Sequence, residues 1–542
     1  MSAGPGRRWA ARAGATLLVA VAVGLGAVLL RIALDWTTRV LLGSVIDLVP
    51  VADGLWRTAQ APIPREQAWA VPLVVAAGMV AAAALSRFAG RPAINGTDGV
   101  IAAVNTRDAA GLDLRGAAVK LAGTAITLGS GGSGGTEGPV VQVSASVAGT
   151  ITRRLRLPGN DRYLLIAAAM GAGVGALFQA PIAGAILAGE LLRRRGIDWY
   201  VLCFAVPAAP VAFAVFVTVH GRHPMFGPAD LGALWDPSGI ACLVATGLLC
   251  AVVVRLYVWT FHRVGQVLGP ARRWREAVAA PAGAVVGTMG IFVPMTLGTG
   301  YGSVAEALSD AAVAAVPLWI LATLPLVKIA ATALTLHAGG IGGVFGPAMV
   351  IGATTGALCW RIATEFGIDP GPAALFTTAG LAACLGPSVR APLASIMLAA
   401  EVTGHLLPPV GLVLAVLVAS ACTPGITLFP SQIDNRIDNQ FARRYRQFAV
   451  SVMLKRAVAT KRGTVRRLRG GVRSRNRSRG RPAGEGAGLV PESDCGIPDL
   501  ADLPLAELLS DRHEDVRRAY RTAAERRAAV GIVFAGHSRR VM

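Results

Sequence analysis

Apolar stretches recur along this chain at lengths close to a membrane crossing, and that recurrence constrains the fold more than any other feature. Ala15–Leu30, Ala70–Leu85, Ile240–Val254, Pro281–Leu297, Ala315–Leu336 and Leu406–Ala421 are the clearest. About 20 apolar helical residues cross a hydrocarbon core of ~30 Å. In lipid every backbone N–H and C=O needs an internal partner, which leaves helices or a closed barrel. A transmembrane barrel has short alternating segments rather than continuous runs. Of the 542 residues, 54% are hydrophobic and only 15% charged, so the expected fold is an all-α polytopic membrane protein. The first stretch follows Arg7, Arg8 and Arg12, like the basic start of a signal peptide. It is longer than a usual signal core and lacks a small-x-small cleavage site before Arg31, so it reads as a retained first helix.

Several chemistries are disfavoured. The seven cysteines are scattered, odd in number and without a CxxC spacing, so neither a disulfide framework nor a zinc site is expected. His337 and His405 lie in apolar segments, but no HExxH or GxSxG context surrounds them. An intramembrane enzyme is therefore not expected, and His337 reads as a satisfied helix-end residue. No ATP site, metal site or redox cofactor is visible.

The net charge is +21, much of it in "KRAVATKRGTVRRLRGGVRSRNRSRGR" from Lys455 to Arg481. This run has little apolar content and is expected to be disordered. No aromatic residues interleave with the arginines to stack on bases, so a membrane-anchored nucleic-acid binder is the alternative of another class rather than the main reading. A cytoplasmic tail beside anionic membrane lipid fits the positive-inside pattern. Both termini are then cytoplasmic, and Arg153, Arg154, Arg156 and Arg193–Arg195 fall on the same side if their loops are cytoplasmic. The expected organisation is a cytoplasmic N-terminus (1–14), a transmembrane domain (15–435), a basic tail (436–482) and a short C-terminal segment of unassigned role (483–542).

Within the membrane part, "GSGGSGGTEGPVVQ" sets one carboxylate, Glu137, among glycines. An ionisable group at bilayer depth is expensive and marks function by default. No Gly-Lys-Ser/Thr follows, so this is not a P-loop. Segments of the membrane part echo each other. "GGTEGPVVQVSASVAGTI" at Gly134–Ile151 resembles "GGVFGPAMVIGATTGALC" at Gly342–Cys359, 208 residues later. "APIAGAILAGE" at Ala180–Glu190 resembles "APLASIMLAAE" at Ala391–Glu401, 211 residues later. Two matches in order at similar offsets indicate structural repeats, over about 70–230 and 280–429. Transporters built from inverted repeats place their sites where broken helices of the two halves meet. Gly-Gly-x-x-Gly-Pro suits such a break, because glycine permits a close non-helical approach and proline fits a helix's first turn. Backbone amides there carry partial positive charge and attract anions. A glutamate at that helix start is able to plug the anion's place when charged and to leave it when protonated.

These motifs resemble those of the CLC family of chloride channels and proton/chloride antiporters. "GTEGPVVQ" at Gly135–Gln142 is similar to GREGPxVQ, and "GGVFGP" at Gly342–Pro347 to GGxFxP. Lys120, 17 residues before Glu137, matches a lysine commonly found there. "GAGVGALFQAPIAGAILAGE" at Gly171–Glu190 and "GTGYGS" at Gly298–Ser303 extend the likeness, which covers about residues 15–435. The resemblance implies an inverted repeat with broken helices, paired as a homodimer with one pore per subunit. It implies Glu137 as the gate, the amides of Val344 and Phe345 on the central anion, and Gly135, Thr136 and Gly138 framing an outer site.

Departures from the family pattern bear on mechanism. The motif GSGxPE is represented only by "INGTDG" at Ile94–Gly99, placing Asn95 where a serine hydroxyl usually meets the anion. Asn95-Gly96-Thr97 is also a glycosylation sequon, discounted in a membrane-lining segment. "FPSQID" at Phe429–Asp434 best matches the region of the central tyrosine, so Phe429 keeps the ring and loses the hydroxyl. The family antiporters' inner Glu-Glu pair reads Glu190-Leu191, leaving Glu190 as the substitute on a proton pathway with Glu137. Thr136 replaces the arginine of GREGP. The expectation is chloride transport, channel-like or loosely proton-coupled, with a proton-coupled fluoride or nitrate antiporter as the alternative within the family.

Overall fold

The structure, a computed structural model, describes residues 5–43, 65–87, 96–109, 111–232 and 236–433. They belong to one compact unit, Met1–Phe448; a second, Ala449–Met542, lies outside the described residues. Asn95, the basic tail and the C-terminal segment are therefore also outside them.

The first half runs through α1 (Pro5–Thr38), α2 (Ala70–Arg87), α3 (Gly96–Thr106), α4 (Leu114–Gly129), α5 (Glu137–Arg154), α6 (Gly159–Leu177), α7 (Pro181–Glu190) and α8 (Trp199–His220). Helix α9 (Pro237–Leu268) leads to α10 (Arg275–Phe292), α11 (Tyr301–Glu306), α12 (Asp310–Ala315), α13 (Leu318–Ala338), α14 (Phe345–Glu365), α15 (Ala373–Val389), α16 (Pro392–Val402) and α17 (Val410–Cys422). Among the described residues the only β-pairings are isolated bridges. The protein is thus an all-α membrane fold.

Among the described residues, five helical segments are long and apolar enough to cross a membrane: Ala11–Gly43, Ala70–Arg87, Trp199–His220, Pro237–Ala271 and Leu318–Ala338. Others stop short. The ten residues of α7 reach only about 15 Å at 1.5 Å per residue, half a hydrocarbon core. Prolines set several boundaries. The apolar run Pro281–Leu297 is broken after Phe292, where Pro294 opens a 3₁₀ turn, and Leu406–Ala421 becomes helical only after Pro409. The N-terminal segment is helical from Pro5 rather than from the first apolar residue.

Lipid offers no hydrophobic drive between helices, so their contacts depend on close backbone approach. Gly352 on α14 and Gly380 on α15 illustrate it. A Cβ on either would stand 2.2–2.3 Å from the other's carbonyl oxygen. Larger side chains such as Leu17, Val206 and Leu248 point outward instead.

The two halves repeat in order, α4–α7 against α13–α16. Gly135 and Gly343, 208 residues apart, form an antiparallel bridge, so equivalent segments run in opposite directions where they meet. A second reciprocal contact supports the inversion. The Glu190 carboxylate accepts from the amides of Leu393 (3.3 Å) and Ala394 (2.8 Å) at the start of α16. Glu401, its repeat equivalent, accepts from Ile182 (3.1 Å) and Ala183 (2.7 Å) at the start of α7. Each half ends a helix on a carboxylate that caps the corresponding helix of the other half.

Candidate functional site

The site forms where α5 and α14 begin. Gly135 donates to the Gly343 carbonyl at 2.8 Å and Gly343 donates back at 2.6 Å. Neither helix has a side-chain cap at its first turn. Helical bonding starts only with the amides of Val140 and Ala348, and Pro139 and Pro347 carry no N–H. The first-turn amides thus converge with the positive ends of two helix dipoles on one small region.

The Glu137 side chain folds back into this region and is 1% exposed. Its Oε1 accepts from the Tyr301 hydroxyl. Its Oε2 has no hydrogen-bond partner. A Cβ on Gly135 would stand 2.0 Å from Oε2, and one on Gly343 would stand 3.0 Å away. Only glycine leaves room for the carboxylate between the two backbones. Thr136 and Gly138 flank it and are buried.

A cavity of about 520 Å³ approaches the same crossing from another side. Gly138, Gly343, Val344 and Phe429 line it, together with Lys120, Arg275 and His337. The Phe429 ring lies 5.7 Å from that of Phe345, so these two expected residues do come together. Asn95 is outside the described residues, although its neighbours Gly96 and Thr97 line the cavity. His337 sits in the last turn of α13, its ring 4.4 Å from Phe261. Glu190 is not among the cavity residues; its carboxylate is held at the α16 cap.

Four contributors escaped the sequence reading. Tyr301 lies inside "GTGYGS", but nothing local tells that its hydroxyl reaches a carboxylate 164 residues away. Tyr257 is fully buried on α9 and donates to the Val344 carbonyl at 3.0 Å, fixing the peptide that leads into α14. Asp98 accepts from the amide and hydroxyl of Ser431 at 2.9 and 3.0 Å, tying α3 to the segment that carries Phe429. Lys328 was within reach of the repeat offset, since it stands 208 residues after Lys120. The two lysines have different surroundings. Lys120 lines the cavity, whereas Lys328 is fully buried and donates to the carbonyls of Thr296 (2.9 Å) and Gly298 (3.0 Å).

A membrane-spanning inverted repeat thus brings two uncapped helix starts together at a glycine crossing. Residues 77–423 match the family described as voltage gated chloride channel, and the chain belongs to that family. It is 30% identical over 332 residues to chloride channel protein CLC-f of Arabidopsis thaliana, spanning 57% of this chain and 42% of that one. It is 28% identical over 308 residues to the voltage-gated ClC-type chloride channel ClcB of Escherichia coli, spanning 56% and 71%. An uncharacterized protein of Methanocaldococcus jannaschii is 29% identical over 311 residues, spanning 57% and 75%. Among solved structures, a slow cyanobacterial Cl⁻/H⁺ antiporter superposes with a TM-score of 0.62 at 20% identity, over 78% of this chain and 95% of that one. A CLC-type fluoride/proton antiporter superposes with 0.64 at 20% identity, over 80% and 100%. These structural likenesses establish the fold. Membership in the family supports anion transport as the activity.

Proposed function

We propose that this protein moves chloride across the membrane through the glycine crossing of α5 and α14, with Glu137 as the gate. The supporting observation is the Glu137 carboxylate itself, buried between Gly135 and Gly343 at two helix starts. A charged group there competes with an anion for the same partial positive charges. The idealised cost of bringing a bare ion into low dielectric is on the order of 20 kcal/mol, so convergent amides are needed to offset it. Amides hold an anion without fixed charge, which lets it leave again. Protonating Glu137 removes both its charge and its advantage over chloride.

In this reading Gly135, Thr136 and Gly138 frame the outer anion position. Val344 and Phe345 hold the central one through their amides, and Phe429 and Asn95 complete the anion-binding set. Lys120 lines the cavity and raises local anion concentration. Transport is channel-like or loosely proton-coupled, because Leu191 stands where a second glutamate would deliver protons. We propose Glu190 as a structural clasp, since both its oxygens meet amides of α16. The working unit is a homodimer with one pore per subunit and both termini cytoplasmic.

The test is simultaneous recording of chloride efflux and external pH from chloride-loaded liposomes, with valinomycin clamping the voltage. Efflux without proton uptake supports a gated channel, and efflux with uptake supports an antiporter. Absence of chloride efflux from folded protein refutes the chloride assignment and directs the assay to fluoride and nitrate.

A further inference from the structure

We propose that Tyr301 is a positioning residue that latches the Glu137 gate, its phenol hydroxyl holding the carboxylate in the crossing until protonation weakens the bond. This rests on the reading of Glu137 as a gate.

The hydroxyl donates to Glu137 Oε1, and the other carboxylate oxygen has no partner. Tyr301 is therefore the one side chain with a hydrogen bond to this carboxylate among the described residues. Its ring is held on two sides. Phe178, just after α6, meets it edge-on at 5.9 Å, and Phe226 does so at 6.0 Å. The start of α11 is fixed too. Lys328 grips the Thr296 and Gly298 carbonyls before it, and the Ser303 hydroxyl donates to the Gly300 carbonyl at 2.6 Å. A phenol with so little freedom presents its O–H in one direction. The titratable groups acting on Glu137 here are Tyr301 from α11, Tyr257 from α9 and Lys328 from α13. Of these, only Tyr301 has a hydrogen bond to it.

A hydrogen bond to an ionised acceptor is roughly twice as strong as one between neutral groups. The latch is therefore strongest when Glu137 is charged and inside the crossing. Protonation replaces it with a weaker neutral bond, and the side chain is freer to leave. The hydroxyl thus sets the pH at which the gate opens.

The experiment is the pH profile of voltage-clamped chloride efflux for wild type, Tyr301→Phe, Glu137→Gln and the double variant. Phenylalanine keeps the ring between Phe178 and Phe226 and removes only the hydroxyl. The expected result for Tyr301→Phe is a shift of the activation midpoint to higher pH by about 1 unit, a tenfold change in gate equilibrium (~1.4 kcal/mol). In the Glu137→Gln background the same substitution should leave the profile unchanged. A wild-type profile in folded Tyr301→Phe, with Glu137→Gln altered, overturns the latch and leaves the gate standing. An equal Tyr301→Phe effect in the Glu137→Gln background also overturns it, as a packing effect. A wild-type profile in Glu137→Gln overturns gate and latch together.

Discussion

Glu190→Gln is expected to weaken the fold while leaving ion coupling untouched. Glu190 is 4% exposed and its carboxyl group accepts from two amides at 3.3 and 2.8 Å at a helix N-terminus. Bonds of this kind contribute about 1.5–3 kcal/mol each to an ionised carboxylate and about 0.5–1.5 kcal/mol each to a neutral group. Glutamine keeps one carbonyl acceptor and turns an NH₂ group toward the other amide. One bond is weakened and one is lost, partly offset because no charge is then buried. The expected loss is about 2 kcal/mol, and the same reasoning applies to Glu401→Gln on the opposite clasp. Non-interacting clasps give a double variant whose loss is the sum within ~0.5 kcal/mol. Apparent melting temperature in detergent reads the stability, where each kcal/mol moves a domain of 150–250 residues by about 2–4 °C. The same preparations in liposomes read chloride and proton flux. Unchanged melting with a changed chloride-to-proton ratio refutes the argument and returns Glu190 to a proton pathway.

Other substitutions test the remaining parts of the site. Glu137→Gln should raise chloride efflux at neutral pH and flatten its pH dependence; unchanged efflux and pH response argue against a gate. Gly343→Ala places a Cβ 2.5 Å from the Gly138 nitrogen and 3.0 Å from Glu137 Oε2, so chloride binding measured by calorimetry should fall by about 5- to 150-fold, since a forced backbone shift costs about 1–3 kcal/mol. Lys120→Met should slow efflux most at low ionic strength with little change in melting, because cavity charge acts by steering. Lys328→Met should instead lower the melting temperature, because it strands the Thr296 and Gly298 carbonyls. Removing residues 455–542 should leave chloride efflux intact.

Much of the site was legible because its signals are local. A helix break needs glycine and proline beside one another, and "GGTEGP" and "GGVFGP" carry them at a fixed offset that reappears in "APIAGAILAGE" and "APLASIMLAAE". Burial of a carboxylate among apolar neighbours is equally visible in one dimension. These features pointed to Glu137 and to the two helix breaks, and the family resemblance then named Gly135, Val344 and Phe345; the structure gathers all four at one crossing. The Phe429 match had only a short motif behind it, and its ring does meet Phe345.

Bilayer thickness and backbone hydrogen bonding act on each segment separately, so a membrane helix bundle with repeated, broken helices can be read from the sequence. Which groups those breaks bring together depends on the folded arrangement. A phenol from "GTGYGS" reaches Glu137, Glu190 and Glu401 exchange helix caps, and of two lysines at equivalent repeat positions one lines the cavity while the other holds the loop before α11. Side-chain hydrogen bonds extend about 3 Å and depend on direction. Whether one forms depends on how helices far apart in sequence cross, which no local pattern records.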